Sequence, residues 1–300
     1  MKFKQLIGKT CIAFLSLGVL VTSMPSSIAH ADSFKSVTIG ADLSEQQKNE
    51  MLKYFEVTKN DANILEVTSA EEHKYLGQVA TESQLGNKSI SCSYVEPTDK
   101  GGLNITTNNL TWVTDGMIKN ALITAGIQNA NVKASAPFKV SGTAALTGIL
   151  KGFENSSSGK KIDENAKQAA NEELVVTGDL GDKIGQNDAA NLMNNIKKDV
   201  VKEKPKTDSD LNKLVDKDAE PYKTKLTDDD IAKIKSVMNK INQLDINYNS
   251  IKDQLNDVTN QLKDKLSSAE AKGFFDKLGD LFSGFFHSIG SLFTSNSNDK

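Results

Sequence analysis

Leu110-Thr111-Trp112-Val113-Thr114-Asp115-Gly116-Met117-Ile118-Lys119-Asn120-Ala121-Leu122-Ile123-Thr124-Ala125-Gly126, with the run that follows it to Phe153, decides the fold. Leu110, Trp112 and Val113 are strand-like, and Thr114 is placed to cap a helix from Asp115 to Ala125. Gly126 stops that helix, Asn131 to Ala136 is extended, and Pro137 punctuates. Ser141-Gly142-Thr143 then opens a second, largely apolar helix through Ala144, Ala145, Leu146, Ile149, Leu150 and Phe153. The first three elements have a partner upstream. Val37 to Ile39 is strand-like, Ser44 can cap a helix with Gln47 three residues on, and Ile64 to Val67 is extended. The junctions match in wording, Asn60-Asp61-Ala62-Asn63-Ile64 against Asn129-Ala130-Asn131-Val132. The pattern predicts an α/β fold in which a duplicated strand–helix–strand unit forms the core of one domain, Asp32 to Glu154.

Between the two units, Lys88 to Val95 and Leu103 to Val113 read as strands. Glu96-Pro97-Thr98-Asp99-Lys100-Gly101-Gly102 joins them with turn formers, so a hairpin is expected. In the first unit Leu43, Met51, Leu52 and Phe55 can face a sheet while Glu45, Lys48, Glu50 and Lys53 face water. A short helix from Ala70 to Leu76 ends at Gly77. Parallel crossovers need helices, so this order implies a mixed sheet with helices packed on it.

The N-terminus reads as a secretory signal. Lys2, Lys4 and Lys9 precede an apolar run, Cys11 to Val21, that is too short to span a bilayer. Ala29-His30-Ala31 supplies small residues for cleavage after Ala31, and Cys11 is not placed as a lipid acceptor. A secreted, extracellular product is expected. All 36 basic residues are Lys. Without Arg, bidentate clamps for phosphate or carboxylate are excluded. Removing residues 1–31 takes away Lys2, Lys4 and Lys9, so the net charge falls from −3 to −3 − 3 = −6. Such an acidic chain is a poor nucleic-acid binder. It also keeps a single cysteine, Cys92, in the alternating strand Ile90 to Val95, where it reads as a small apolar residue on an inner sheet face. A nucleophilic role would need a histidine partner, and only the fold could bring His73 there.

Four stretches stand in one order: Ile39-Gly40-Ala41-Asp42-Leu43; Ser91-Cys92-Ser93-Tyr94-Val95-Glu96-Pro97; Thr111-Trp112-Val113-Thr114; and Ala136-Pro137-Phe138-Lys139-Val140-Ser141-Gly142-Thr143-Ala144-Ala145-Leu146-Thr147-Gly148. Together they resemble the YpuA-like exported proteins of Gram-positive bacteria, a family defined by a domain of unknown function. The resemblance spans residues 32 to 204 and extends to the Phe-rich tail. It implies export and a shared fold, and it assigns no activity and no site residues.

Beyond Phe153 the composition shifts. Asn155-Ser156-Ser157-Ser158-Gly159 reads as a linker, and residues 155–226 as linker and helices, with helices at Asp163 to Val175 and Asn187 to Val201. Gly178, Gly181 and Gly185 are expected to break the chain between them, and Pro205 to Pro221 to be an exposed polar stretch. Residues 227–272 read as one long amphipathic helix that starts with three acids at its dipole's positive end. Its seam of Val237, Ile241, Leu244, Tyr248, Ile251, Leu255, Val258 and Leu262 has heptad spacing. It must pair with other helices, fold back, or serve self-association.

No phosphate loop, paired cysteines or His-x-x-x-His spacing occurs, so no metal and no cofactor is expected. Ser141-Gly142-Thr143 could cap its helix or bind an anion. Asp208, Asp210 and Asn212 imitate a calcium loop, but Lys213 and Ala219 stand where glycine and the closing acid belong. Asp42, Asp99 and Asp115 fall at turns and caps. The tail, residues 273–294, is the sharpest feature. Phe274, Phe275, Leu278, Leu281, Phe282, Phe285, Phe286, Ile289, Leu292 and Phe293 fall within roughly 140° of a helix whose other face is polar. That pattern predicts contact with a membrane surface, with an envelope protein, or with the chain's own long helix. The function expected is a non-enzymatic binding protein of the cell envelope; the alternative is an extracellular enzyme acting on a wall or small-molecule substrate.

Overall fold

Short runs of β-branched and small residues build five strands: β1 (Ser36–Gly40), β2 (Asn63–Val67), β3 (Cys92–Pro97), β4 (Leu103–Leu110) and β5 (Ala130–Val140). The computed structural model describes residues 35–77, 79–156 and 159–267. The strands form one mixed sheet in the order β2-β1-β3-β5-β4. β1 and β2 pair in parallel across α1 (Glu45–Tyr54), and β4 and β5 pair in parallel across α4 (Asp115–Thr124). β3 runs antiparallel between β1 and β5. The α/β class and both strand–helix–strand units follow the sequence pattern.

The expected hairpin does not form. β5 lies between β3 and β4, so Val132 faces Val95 on one side and Ile105 on the other. The turn formers after Glu96 reverse the chain but do not make its two arms neighbours, because the crossover through α4 delivers β5 into the gap.

Alternation along the strands sorts the two faces. Val37, Ile39, Cys92 and Tyr94 point toward α1 and pack with Met51, Leu52 and Phe55. Val95, Leu103, Ala130, Val132 and Ala134 point the other way, into a larger cluster with α4 and with α5 (Thr143–Glu154). Both crossovers step in the same direction along parallel strands, yet their helices lie on opposite faces. The two units are therefore of opposite hand, and one departs from the usual right-handed crossover. α5 sits so close to the sheet that a Cβ on Gly148 would stand 2.3 Å from Thr38 Oγ1. Only glycine fits there.

The rest of the chain covers α4 and α5. α6 (Glu164–Ile184) runs unbroken through Gly178 and Gly181, against expectation. The reason is packing: the Trp112 ring fills the place of a Gly178 side chain, with Cζ2 at 2.1 Å from an added Cβ. α7 (Gln186–Glu203) follows at once. The stretch between Pro205 and Pro221 is not a bare polar loop, for it forms α8 (Asp208–Ala219) with Leu211, Val215 and Ala219 buried. The long helix is also two helices, α9 (Asp228–Gln243) and α10 (Tyr248–Ser267), because the backbone turns extended at Leu244. α9 packs on α6, α7 and α8, and α10 on α7 and α4. Val237, Ile241, Ile251, Leu255, Val258 and Leu262 are buried, with Leu244 and Tyr248 packed against the same cluster. The seam read as a route to self-association is thus occupied inside the chain.

The two sides of the linker are tied together as well. Glu154 accepts from Ile162 N at 2.9 Å and from Lys167 Nζ at 3.0 Å, clamping the start of α6 to the end of α5. Deeper in, Lys197 of α7 donates to Glu173 of α6 at 2.8 Å, to Asn120 O of α4 at 2.7 Å and to Thr124 Oγ1 at 3.1 Å. Both charged side chains are fully buried. Described residues on both sides of Glu154 thus pack into one hydrophobic cluster.

Candidate functional site at the carboxyl edge of the sheet

Because β1, β2, β4 and β5 all run the same way, their carboxyl ends share one edge, the usual ligand-binding edge of an open α/β sheet. β3, antiparallel, enters the sheet there. Asp42, just past β1, accepts from Ser89 N at 2.7 Å and so fastens the segment leading into β3. Thr68, just past β2, caps α2 (Ser69–Leu76) in a capping box with Glu71. Lys151 of α5 then grips Glu71 Oε1 at 2.5 Å.

The next residue on α2, Glu72, carries a strongly perturbed carboxyl. Glu72 is 2% exposed and accepts from Thr143 Oγ1 at 3.2 Å, at the first turn of α5. Burial pushes its carboxyl up to about 7; the Ser89 and Thr143 hydroxyls and His73 oppose the rise, and the Asp42 charge adds to it. Ser89 Oγ is close enough to act on the charge, but neither it nor Glu72 Oε1 makes a hydrogen bond of normal geometry. A carboxyl held this way exchanges a proton near neutrality.

That geometry answers the alternatives at Ser141-Gly142-Thr143. Gly142 is the N-cap, with φ at 100° and no side-chain cap, and Ser141 Oγ donates instead to Gln84 O at 3.2 Å. The group that meets this helix start is the chain's own Glu72 carboxyl, through the Thr143 hydroxyl. Nearby, α3 (Glu82–Leu85) sends Gln84 Nε2 to Asp179 Oδ1 at 2.5 Å. Asp182 accepts from the Trp112 indole, and burial raises both aspartates above the usual range.

The other candidate residues are placed apart. Cys92 is fully buried on the α1 face, and burial pushes its thiol up to about 12. His73 Nδ1 bonds Ser69 O at 2.7 Å and lies 3.3 Å from Ser69 Oγ, while Nε2 faces Glu82 at 3.5 Å, so it does not pair with Cys92. Asp115 accepts from Gly116 N at 2.9 Å within the first turn of α4. Asp208 and Asp210 lie in the first turn of α8, where Thr207 caps the helix, so the calcium-like spacing is a helix start. Among the described residues no group of three or more His, Cys, Asp or Glu could hold a metal ion. A groove of about 570 Å³ between α8 and α9 has Leu226, Ile231 and Ala232 in its wall, and Lys223 and Lys235 balance Asp216 and Asp228 there, with Lys235 and Asp216 paired at 2.8 Å. Residues 1–31, read from the sequence as a signal segment, and the tail residues Phe274 to Phe293 lie outside the described residues. Among the described residues no helix is long and apolar enough to cross a membrane.

Glu72 was missed by sequence reasoning. Its only signal was the capping box Thr68-Ser69-Ala70-Glu71 beside it, which fixes which face of α2 turns inward.

The family described as "Protein of unknown function (DUF1002)" matches over residues 39–258. The chain is 40% identical over 290 residues to "Uncharacterized protein YpuA" of Bacillus subtilis (strain 168), covering 95% of this chain and 99% of that protein. No solved structure matches. The match to more than half of the chain, together with that identity, places the chain in the DUF1002 family.

Proposed function

We propose that the protein is exported and acts as a non-enzymatic binding protein of the cell envelope, contacting a membrane surface through its Phe-rich C-terminal segment. Export rests on the lysine-led apolar start and the Ala29-His30-Ala31 site. The observation that carries the contact is the fate of the heptad seam. The apolar stripe of α9 and α10, the one surface on which the tail was expected to fold back, is buried under α4, α6, α7 and α8. Among the described residues the exposed large hydrophobics are Tyr54 and Phe138. Ten apolar side chains from Phe274 to Phe293, six of them Phe, therefore lack that seam as a partner. Burying each contributes about 1.5–3 kcal/mol, more than the roughly 1 kcal/mol lost at each of Gly279, Gly284 and Gly290 in a helix. The polar face carries Asp276 and Asp280 against Lys277, so attraction to anionic lipid is not the driving force.

An envelope-directed enzyme is the other reading, and Glu72 is the group it would use. Its carboxyl suits proton transfer but is closed from solvent in this arrangement. Co-sedimentation of residues 32–300 with neutral phosphatidylcholine vesicles tests the proposal. Binding should be nearly independent of salt and lost when Phe282 and Phe285 become Ser. Absence of binding, with the tail shielded from protease in buffer, would refute it.

A further inference from the structure

The sheet has two edges, and they are finished differently. At β2 the outward carbonyl of Glu66 accepts from Lys151 Nζ at 2.7 Å, and Asn63 Nδ2 reaches Asn155 O at 2.9 Å. A charge, a lysine cap and a side-chain strut are how natural sheets close an edge. β4 has none of these. From Leu103 to Leu110 it holds no ionisable residue and no proline.

Its register says which backbone groups are left. Ala130 N–H donates to Gly102 O at 3.0 Å, across the start of the parallel ladder with β5. In such a ladder residues alternate, both backbone groups facing the neighbour and then both facing away. Asn104 and Thr106 thus bond to β5, while Leu103, Ile105 and Thr107 turn N–H and C=O outward. Among the described residues no hydrogen bond to these outward groups is present.

We propose that this edge pairs with the β4 of a second copy of the chain, antiparallel about a two-fold axis at Ile105. In that register Ile105 faces its own copy and Leu103 faces Thr107, and each of these outward-facing pairs exchanges two backbone bonds. Side chains agree with the backbone. The half-buried Ile105 meets its equal on the helix-covered face, while the exposed Asn104 and Thr106 meet each other on the open face. A strand without charge meets itself without repulsion, which β2 with Glu66 could not do. The paired edges join two five-stranded sheets into one continuous sheet. This inference does not depend on the tail.

The test is sedimentation of residues 32–300, the unit that holds every described residue. A dimer is expected at concentrations on the order of 100 µM, dissociating on dilution. Thr107→Pro removes only an outward donor, so it should weaken the dimer by roughly tenfold or more and leave the thermal midpoint of the dilute monomer unchanged. Amide exchange on the native chain gives a second measurement: Leu103, Ile105 and Thr107 should gain protection as concentration rises. A monomer throughout, or a dimer that Thr107→Pro leaves intact, overturns the proposal. So does protection of these amides that ignores concentration, since that would mean the edge is covered within one chain.

Discussion

The two faces of the sheet are covered to very different depths. On one, α1 alone closes a small cluster around Val37, Ile39, Phe55 and Tyr94, with the Phe55 and Tyr94 rings stacked at 6.4 Å. On the other, α4 and α5 form a first layer, and α6, α7 and α10 bury the backs of those helices. A crossover helix is enough for the thin face because its outer side is polar, as Glu45, Lys48 and Glu50 show. α4 and α5 are different: every residue of α5 from Thr143 to Leu150 is buried. A helix apolar all round needs partners on every side. The helices after Glu154 are that partner, and they complete the core of the sheet.

The comparison is broken most severely by removing the second layer. A fragment of residues 32–156 should show no cooperative melt and should bind a hydrophobic dye, since α4 and α5 would carry their apolar backs into water. A sharp transition near that of the intact chain would show that the thin face suffices.

A point change tests the same layer more finely. Glu173→Gln leaves the Lys197 ammonium in a dry core without its counter-charge, at the junction of α4, α6 and α7. Burial already lowers the Lys197 pKa, and Glu173 is what opposes that shift. The loss should be about 3–5 kcal/mol in urea unfolding, the range for breaking a buried pair from one side. An exposed pair such as Lys213–Asp210, at 3.0 Å, should give less than about 1 kcal/mol when broken.

The edge where the two layers meet predicts a pH effect. The Glu72 carboxyl sits at about 7 in the fold against an ordinary value of 4.5. A raised folded value means the native state holds the proton more tightly than the unfolded chain. Stability is therefore full below about 4.5, falls as pH rises toward 7, and levels off above it. The drop is about 3 kcal/mol if Glu72 acts alone. Glu72→Gln should flatten that slope, matching the parent at pH 4.5 and exceeding it at pH 8. Parallel curves for the two proteins would remove Glu72 as the source.

Much of this was legible in the chain. Thr114 and Ser44 each cap the helix they were expected to cap, and the three acids after Thr227 open α9. Both strand–helix–strand units are present, because caps and period-two runs are local signals. What was not legible depends on distant partners. Gly178 reads as a break until the Trp112 ring is beside it, and the heptad seam reads as one helix until Leu244 turns extended. The insertion of β5 between β3 and β4 has no local signature at all. At the site, Asp42 and Thr143 stood out as a turn and a helix start, but Glu72 became visible only when α2 was laid against α5.

The smallest effect expected is on the thin face. Cys92 is fully buried beneath α1, its Sγ is 3.6 Å from Ile90 O, and burial pushes the thiol up to about 12. A thiol that stays protonated is a poor nucleophile, so the native protein should resist thiol reagents until it is unfolded. Cys92→Ala removes one atom from a cluster covered by a single helix, which can settle toward the gap. A loss of about 1 kcal/mol is expected there, against about 2–5 kcal/mol for Ile149→Ala, whose neighbours are held by α6 and the sheet together. Measuring both in one unfolding series decides the matter. Equal losses would mean the thin face is packed as rigidly as the thick one, and rapid labelling of native Cys92 would mean that α1 opens readily from the sheet.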